Sequence, residues 1–274
     1  MQACRAGNVK KKNTKGNDMV HFIGAGPGAS DLITVRGMRL LEEADVVIYA
    51  GSLINTELLS YCGKEVKLYD SAGMTLEEVI SVIKEAEENG LVTVRLHSGD
   101  PSVYGAIREQ MDELCKLGIK YDITPGVTAA MAAAASLGIE YTLPDVSQSF
   151  IITRMEGRTP VPEGERIEDY VKSGASVAVY LSSGMIQTLT DRLMRAGVSG
   201  DMPAAIVYKC SWTDEKRYVG TLTGLSDAAA NEGIANTAVI LIGRAVGQGA
   251  GRISYDRSRL YDPEFTTGFR KGTE

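Results

Sequence analysis

Histidine, cysteine and tryptophan are scarce in this 274-residue chain, and there is no excess of positive charge. The two histidines, His21 and His97, fall in separate predicted strands, so no Ser/His/Asp or Cys/His constellation can be assembled and each reads as a core histidine. Cys4, Cys62, Cys115 and Cys210 lie far apart, with no CxxC pair and no histidine close by, which signals neither a zinc site nor a disulfide framework. With 29 lysines and arginines against 35 aspartates and glutamates, the chain lacks the basic face that phosphate neutralisation needs, and nucleic acid is not an expected partner. Apolar runs such as residues 175–181 stop far short of the ~20 residues a membrane-spanning helix requires, so a membrane is not expected either. Residues 1–18 carry Arg5, Lys10, Lys11, Lys12 and Lys15 without an apolar h-region. They read as a disordered leader rather than a secretory signal, and a cytoplasmic location is expected.

What the chain does have is glycine, 30 residues of it, and a regular alternation of strand and helix patterns. That alternation predicts an α/β fold with largely parallel sheets. Strands are expected at residues 20–23, 45–49, 66–69, 92–97 and 119–123. Between them come a helix over 34–43, one that opens on a Thr75/Glu78 capping box and ends at Gly90, and one with Ile107, Met111, Leu114 and Cys115 inward that closes at Gly118. An alanine-rich helix then runs to Gly138. Past Leu143-Pro144-Asp145 the pattern restarts, placing a domain boundary near 143–149. The second half predicts strands at 150–153, 177–181, 204–208, 217–220 and 238–242 and helices near 167–172, 186–196 and 225–231, with 215–222 antiparallel and the sheet therefore mixed. The expected organisation is thus a first domain over 19–143, a second over 150–246 and a polar, irregular tail over 247–274.

Three turns hold the chemistry. Gly24-Ala25-Gly26-Pro27-Gly28-Ala29 follows the first strand and fits the GxGxxA dinucleotide pattern. Pro27, however, deletes a backbone N–H where a pyrophosphate wants donors, and no acid closes the second strand, which ends Tyr49-Ala50-Gly51. Gly99-Asp100-Pro101-Ser102-Val103-Tyr104-Gly105 sits at the carboxyl end of a buried strand; Asp100 there either lines a pocket or caps a helix that has Pro101 at its first position. Pro125-Gly126-Val127-Thr128-Ala129 ends the neighbouring strand. In the second half Arg154, Glu156, Arg158 and Arg166 surround Thr159-Pro160-Val161-Pro162, either a solvated loop or an arginine-rich binder of substrate carboxylates.

At these residues the sequence resembles the tetrapyrrole methyltransferases. Ile23-Gly24-Ala25-Gly26-Pro27-Gly28, continued by Asp31-Leu32-Ile33-Thr34-Val35-Arg36-Gly37, is similar to the first family signature. Arg95-Leu96-His97-Ser98-Gly99-Asp100-Pro101-Ser102-Val103-Tyr104-Gly105-Ala106 with Pro125-Gly126-Val127-Thr128 is similar to the second. Leu143-Pro144-Asp145-Val146-Ser147-Gln148, Thr153-Arg154-Met155-Glu156-Gly157-Arg158, Tyr208-Lys209-Cys210-Ser211-Trp212 and Ser258-Arg259-Leu260-Tyr261-Asp262 narrow the resemblance to the branch that methylates carbon 11 of precorrin-4 or cobalt-precorrin-4 in cobalamin biosynthesis. Thr267 departs from the family, which often has histidine there.

The resemblance implies two α/β domains with S-adenosylmethionine in the cleft between them, a homodimer and no protein-bound metal. It implies that Pro27, Gly99, Asp100, Val103, Thr128, Ala129, Met185, Tyr208, Thr237 and Ala238 bind the cofactor, and that Arg154, Arg158 and Lys209 meet the substrate's carboxylates. Asp100 and Tyr104 stand nearest the reacting centre on the same basis. The rival readings are a methyltransferase acting at another ring position, an NAD-dependent oxidoreductase, and a tetrapyrrole carrier without catalysis.

Overall fold

A computed structural model describes residues 19–251 and 253–273; the leader at 1–18 lies outside the described residues. The chain forms two compact units, one comprising the residues up to Ala129 together with Ser211–Thr213, the other Ala130–Cys210 and the residues from Asp214 onward.

The first unit contains strands β1 (Met19–Gly24), β2 (Val46–Tyr49), β3 (Lys67–Asp70), β4 (Thr93–His97) and β5 (Lys120–Thr124), with helices α1 (Val35–Glu43), α2 (Leu76–Glu88) and α3 (Ile107–Leu117). The strands lie in the order β3-β2-β4-β1-β5 and every pairing is parallel. Successive β1 side chains serve opposite layers, as a pleated strand requires. Val20 and Phe22 pack with Ile83, Ile107, Met111 and Leu114, whereas Ile23 packs with Leu41, Val47, Val94 and Leu96. Both faces are covered, which is why these strands read as unbroken apolar runs. The Thr75 hydroxyl accepts from the Glu78 amide and the Glu78 carboxylate accepts from the Thr75 amide, so the capping box that opens α2 is complete. Because β1 hands the chain to β2 on one side while β4 hands it to β5 on the other, the loops after β1 and β4 diverge at the carboxyl edge, where open α/β sheets bind ligands.

Helix α4 (Ala129–Leu137) belongs, apart from its first residue, to the second unit. There strands β6 (Phe150–Arg154), β7 (Ser176–Tyr180), β8 (Pro203–Tyr208), β9 (Lys216–Thr221) and β10 (Ala238–Ile242) alternate with α5 (Ile167–Lys172), α6 (Ile186–Arg195) and α7 (Leu225–Glu232). The order is β6-β7-β10-β8-β9, with β6 and β7 parallel and the remaining pairs antiparallel, a mixed sheet as expected. One face packs Val177, Val179, Ile206, Ile240 and Ile242 against Val171, Leu189, Leu193 and Leu225. The other packs Ala178, Ala205, Val207, Val239 and Leu241 against Ala130, Ala132 and Ala133 of α4, where small side chains on both partners permit close approach.

Two expectations are redrawn. The division into units falls after Ala129 and not at 143–149, because the alanines of α4 share a core cluster with β7, β8 and β10. Asp100 does not cap a helix with Pro101 at its first position: a turn intervenes and α3 begins only at Ile107, preceded by Ala106 in the left-handed region at φ 49°. The tail is irregular apart from short 3-10 turns at Arg244–Ala250 and Arg259–Tyr261.

Candidate functional site

Three loops of the first unit meet at the carboxyl edge of its sheet, with backbone against backbone. The Gly26 amide donates to the Gly99 carbonyl at 3.2 Å, and the Gly99 amide returns a bond to the Gly26 carbonyl at 2.9 Å, zipping the loop after β1 to the loop after β4. The loop after β5 crosses both. A Cβ on Gly126 would lie 2.1 Å from the Gly99 carbonyl oxygen and one on Gly24 would lie 2.5 Å from the Gly126 Cα, so only glycine fits either position.

Asp100 stitches this crossing together. Its carboxylate accepts the Gly126 amide at 2.9 Å, the Ser102 amide at 2.8 Å and the Ser102 hydroxyl. Partial burial pushes its pKa up, but the bonds from Ser102 and Gly126 outweigh that and hold it below the usual aspartate value. Asp100 is therefore an ionised anchor that accepts three hydrogen bonds, not a proton donor. Tyr104, on the same loop, is half exposed and also left-handed, at φ 56°. Strain of this kind persists only where the surroundings enforce it.

Beneath the loops, buried Arg95 donates to the Gln110 side chain and to the Ile48 carbonyl, each at 3.1 Å. Buried His97 stacks on Phe22, and its Nε2 has no hydrogen-bond partner among the described residues. Burial, and then the charge of Arg95, pull the His97 pKa down to about 3, so the ring is neutral. His21 is the satisfied core histidine, with Nδ1 2.7 Å from Asp122.

The segment Ser211–Thr213 completes the first unit. The Ser211 hydroxyl accepts the Ala29 amide at 2.9 Å, and the Trp212 indole donates to the Pro27 carbonyl at 3.1 Å. Pro27 thus has its carbonyl tied down and no N–H to offer, the opposite of a pyrophosphate cradle.

In the second unit the expected residues gather at one sheet edge. Antiparallel pairing sets Ala238 opposite Tyr208, and parallel pairing sets Arg154 beside Tyr180. The Lys209 amide donates to the Thr237 carbonyl at 2.8 Å. Leu181, Lys209 and Thr237 are all left-handed, with φ of 52°, 47° and 49°. A depression of about 320 Å³ on this unit is lined by Arg154, Met155, Gly157, Arg158, Thr159, Leu181 and Met185. Arg154 is engaged with its own loop. Its guanidinium donates to the carbonyls of Met155, Thr159 and Pro160 at 3.1, 3.2 and 2.6 Å, so it braces its own loop. Lys209 pairs with Asp214 at 2.6 Å. Arg158 is exposed.

Loops 24–29, 98–105 and 124–129 contain no lysine or arginine, and Asp100 is their one ionised group. This edge suits a cationic ligand without phosphate. The family model described as Tetrapyrrole (Corrin/Porphyrin) Methylases matches residues 19–226, which include the three loops of the first unit and the Arg154–Thr159 segment but not Thr237 and Ala238. The chain belongs to the tetrapyrrole methylases.

Cobalt-precorrin-4 C(11)-methyltransferase of Methanocaldococcus jannaschii is 48% identical over 255 residues, covering 93% of this methylase and 97% of that protein. Precorrin-4 C(11)-methyltransferase of Sinorhizobium sp is 43% identical over 252 residues, covering 92% and 98%. The X-ray structure of a cobalamin biosynthetic enzyme, cobalt precorrin-4 methyltransferase, superposes with a TM-score of 0.82 at 44% identity, covering 84% of this methylase and 96% of that chain.

Two features of the methylase escaped sequence reasoning. The bonds from Ser211 and Trp212 to the loop after β1 span more than 180 positions, and no local pattern marks them. Arg192, in the middle of an ordinary amphipathic helix, proves to be a three-way junction between Glu156 and Glu168.

Proposed function

We propose that this methylase transfers the methyl group of S-adenosylmethionine to carbon 11 of precorrin-4 or its cobalt form. The observation that carries the reading is the near-complete overlap with two C(11)-methyltransferases at over 40% identity. The chemistry of the loop edge agrees: a carboxylate and no basic group favours a sulfonium nucleoside over a dinucleotide, and Pro27 cannot serve a pyrophosphate.

When bound, the sulfonium supplies an already activated methyl group, so the protein's task is orientation. Asp100 fixes the loops after β4 and β5 in one arrangement and contributes negative charge beside them. Gly99, Val103, Thr128 and Ala129 are the other proposed cofactor contacts there, and Pro27 is held by Trp212 on the same side. Tyr104 projects from the strained turn as a positioning group rather than a proton carrier. The second unit's proposed contribution is the edge that gathers Met185, Tyr208, Thr237 and Ala238. Arg158 is the proposed partner of a substrate carboxylate, with Arg154 shaping the loop that carries it. Assembly as a homodimer completes the proposal.

Calorimetric titration with S-adenosylhomocysteine and, separately, with NADH tests the cofactor. Binding of the first and not the second is expected; NADH binding with no S-adenosylhomocysteine binding overturns the reading.

A further inference from the structure

The loop that carries Arg158 is held from below by an ion-pair junction. Glu168, on α5, is a buried carboxylate with 4% of its surface exposed. Arg192, on α6, grips it with two nitrogens, Nε to Oε1 and Nη2 to Oε2 at 3.1 Å, and Arg166 stands farther off at 4.0 Å. This fork is the main compensation for the buried charge. Arg192 then directs its remaining Nη1 outward to the carboxylate of Glu156, whose side chain is about half exposed. Glu156 is separated from Arg158 only by Gly157, in a segment whose backbone is otherwise fixed by Arg154 and by the bond from the Met155 amide to the Ser182 hydroxyl at 2.9 Å.

An anion in the depression lined by Arg158, Leu181 and Met185 has one obvious competitor, the carboxylate two residues away. The geometry points to Arg192 as a specificity-determining positioning residue: it holds Glu156 away from Arg158, so that the Arg158 guanidinium stays free for a carboxylate side chain of the substrate. Arginine is required because one planar fork must satisfy Glu168 and still present a third donor, which a lysine ammonium cannot do along the same directions. This inference rests on the proposal that Arg158 meets a substrate carboxylate.

The test uses Arg192→Lys, which keeps a cation against Glu168 and so avoids an unpaired buried charge, together with Glu156→Gln and the double variant. Steady-state kinetics with precorrin-4 should show the macrocycle KM rising about two- to fivefold in Arg192→Lys, the range expected for a partly exposed ion pair, with kcat and S-adenosylmethionine KM unchanged. Glu156→Gln alone should leave KM unchanged or lower it, and adding it to Arg192→Lys should restore KM. An unchanged KM in Arg192→Lys, a raised KM in Glu156→Gln alone, or no rescue in the double variant overturns the inference. Arg158→Ala is measured alongside. If it leaves macrocycle KM untouched, the reading of Arg158 is wrong whatever Arg192 does.

Discussion

The Asp100 carboxylate accepts the Gly126 backbone amide at 2.9 Å, joining loops that are 26 residues apart in the chain but lie on either side of β1 in the sheet. That bond, with the two from Ser102, makes Asp100 the lock of the loop crossing. In Asp100→Asn an NH2 group must face at least one of these donors. The variant should lose about 1–3 kcal/mol of stability, the cost of a broken charge-assisted bond and a mismatched donor, and S-adenosylhomocysteine affinity should fall more than stability does. Thermal melting and calorimetry read the two effects separately; unchanged affinity would remove Asp100 from the site.

Gly126→Ala places a methyl group 2.1 Å from the Gly99 carbonyl oxygen. Backbone cannot move aside as a flexible side chain can, so the substitution should cost at least about 3 kcal/mol and abolish cofactor binding. Gly63→Ala is the control, because among the described residues nothing lies within 4 Å of a Cβ added there. Its melting temperature should match that of the parent, and equal losses in the two variants would contradict the crossing.

His97 gives the stability a pH dependence of known sign. Folding lowers its pKa from 6.5 to about 3, through burial first and then the charge of Arg95. Between those values the unfolded chain binds a proton that the folded chain does not, so stability is greatest above pH 6.5 and falls as the pH drops toward 3. The slope contributed by this one group is up to about 1.4 kcal/mol per pH unit. Urea unfolding at a series of pH values, compared with His97→Gln, should show a shallower loss in the variant. Parallel curves would mean that His97 is not the titrating group.

Arg154→Ala removes three bonds to the loop that leads to Arg158. Macrocycle KM should rise about tenfold or more while S-adenosylhomocysteine affinity holds. Equal losses in both would show that the two functions are not divided in this way.

Much of the fold was legible because the local rules agree with one another. The strand at 238–242 and the helix at 167–172 fall where expected, and Thr75 and Glu78 make the capping box their spacing predicts. The late start of α3 was not legible, because Pro101 suits a first helical position while Gly105, whose Cβ would lie 2.2 Å from the Pro101 carbonyl oxygen, demands a tight turn only in three dimensions. The three glycine turns were visible as candidates, but their mutual lock at Asp100 depends on strand order. The engagement of Arg154 with its own loop and the junction at Arg192 were invisible for the same reason: side chains of the expected type were present, and their partners were set by packing between distant segments.

The most direct test of the central claim is NMR of the product formed from precorrin-4, in metal-free and cobalt forms, with S-adenosylmethionine labelled with carbon-13 in its methyl group. One labelled methyl bonded to carbon 11 is the predicted result. A label at any other carbon, or none in the macrocycle with either form, contradicts it.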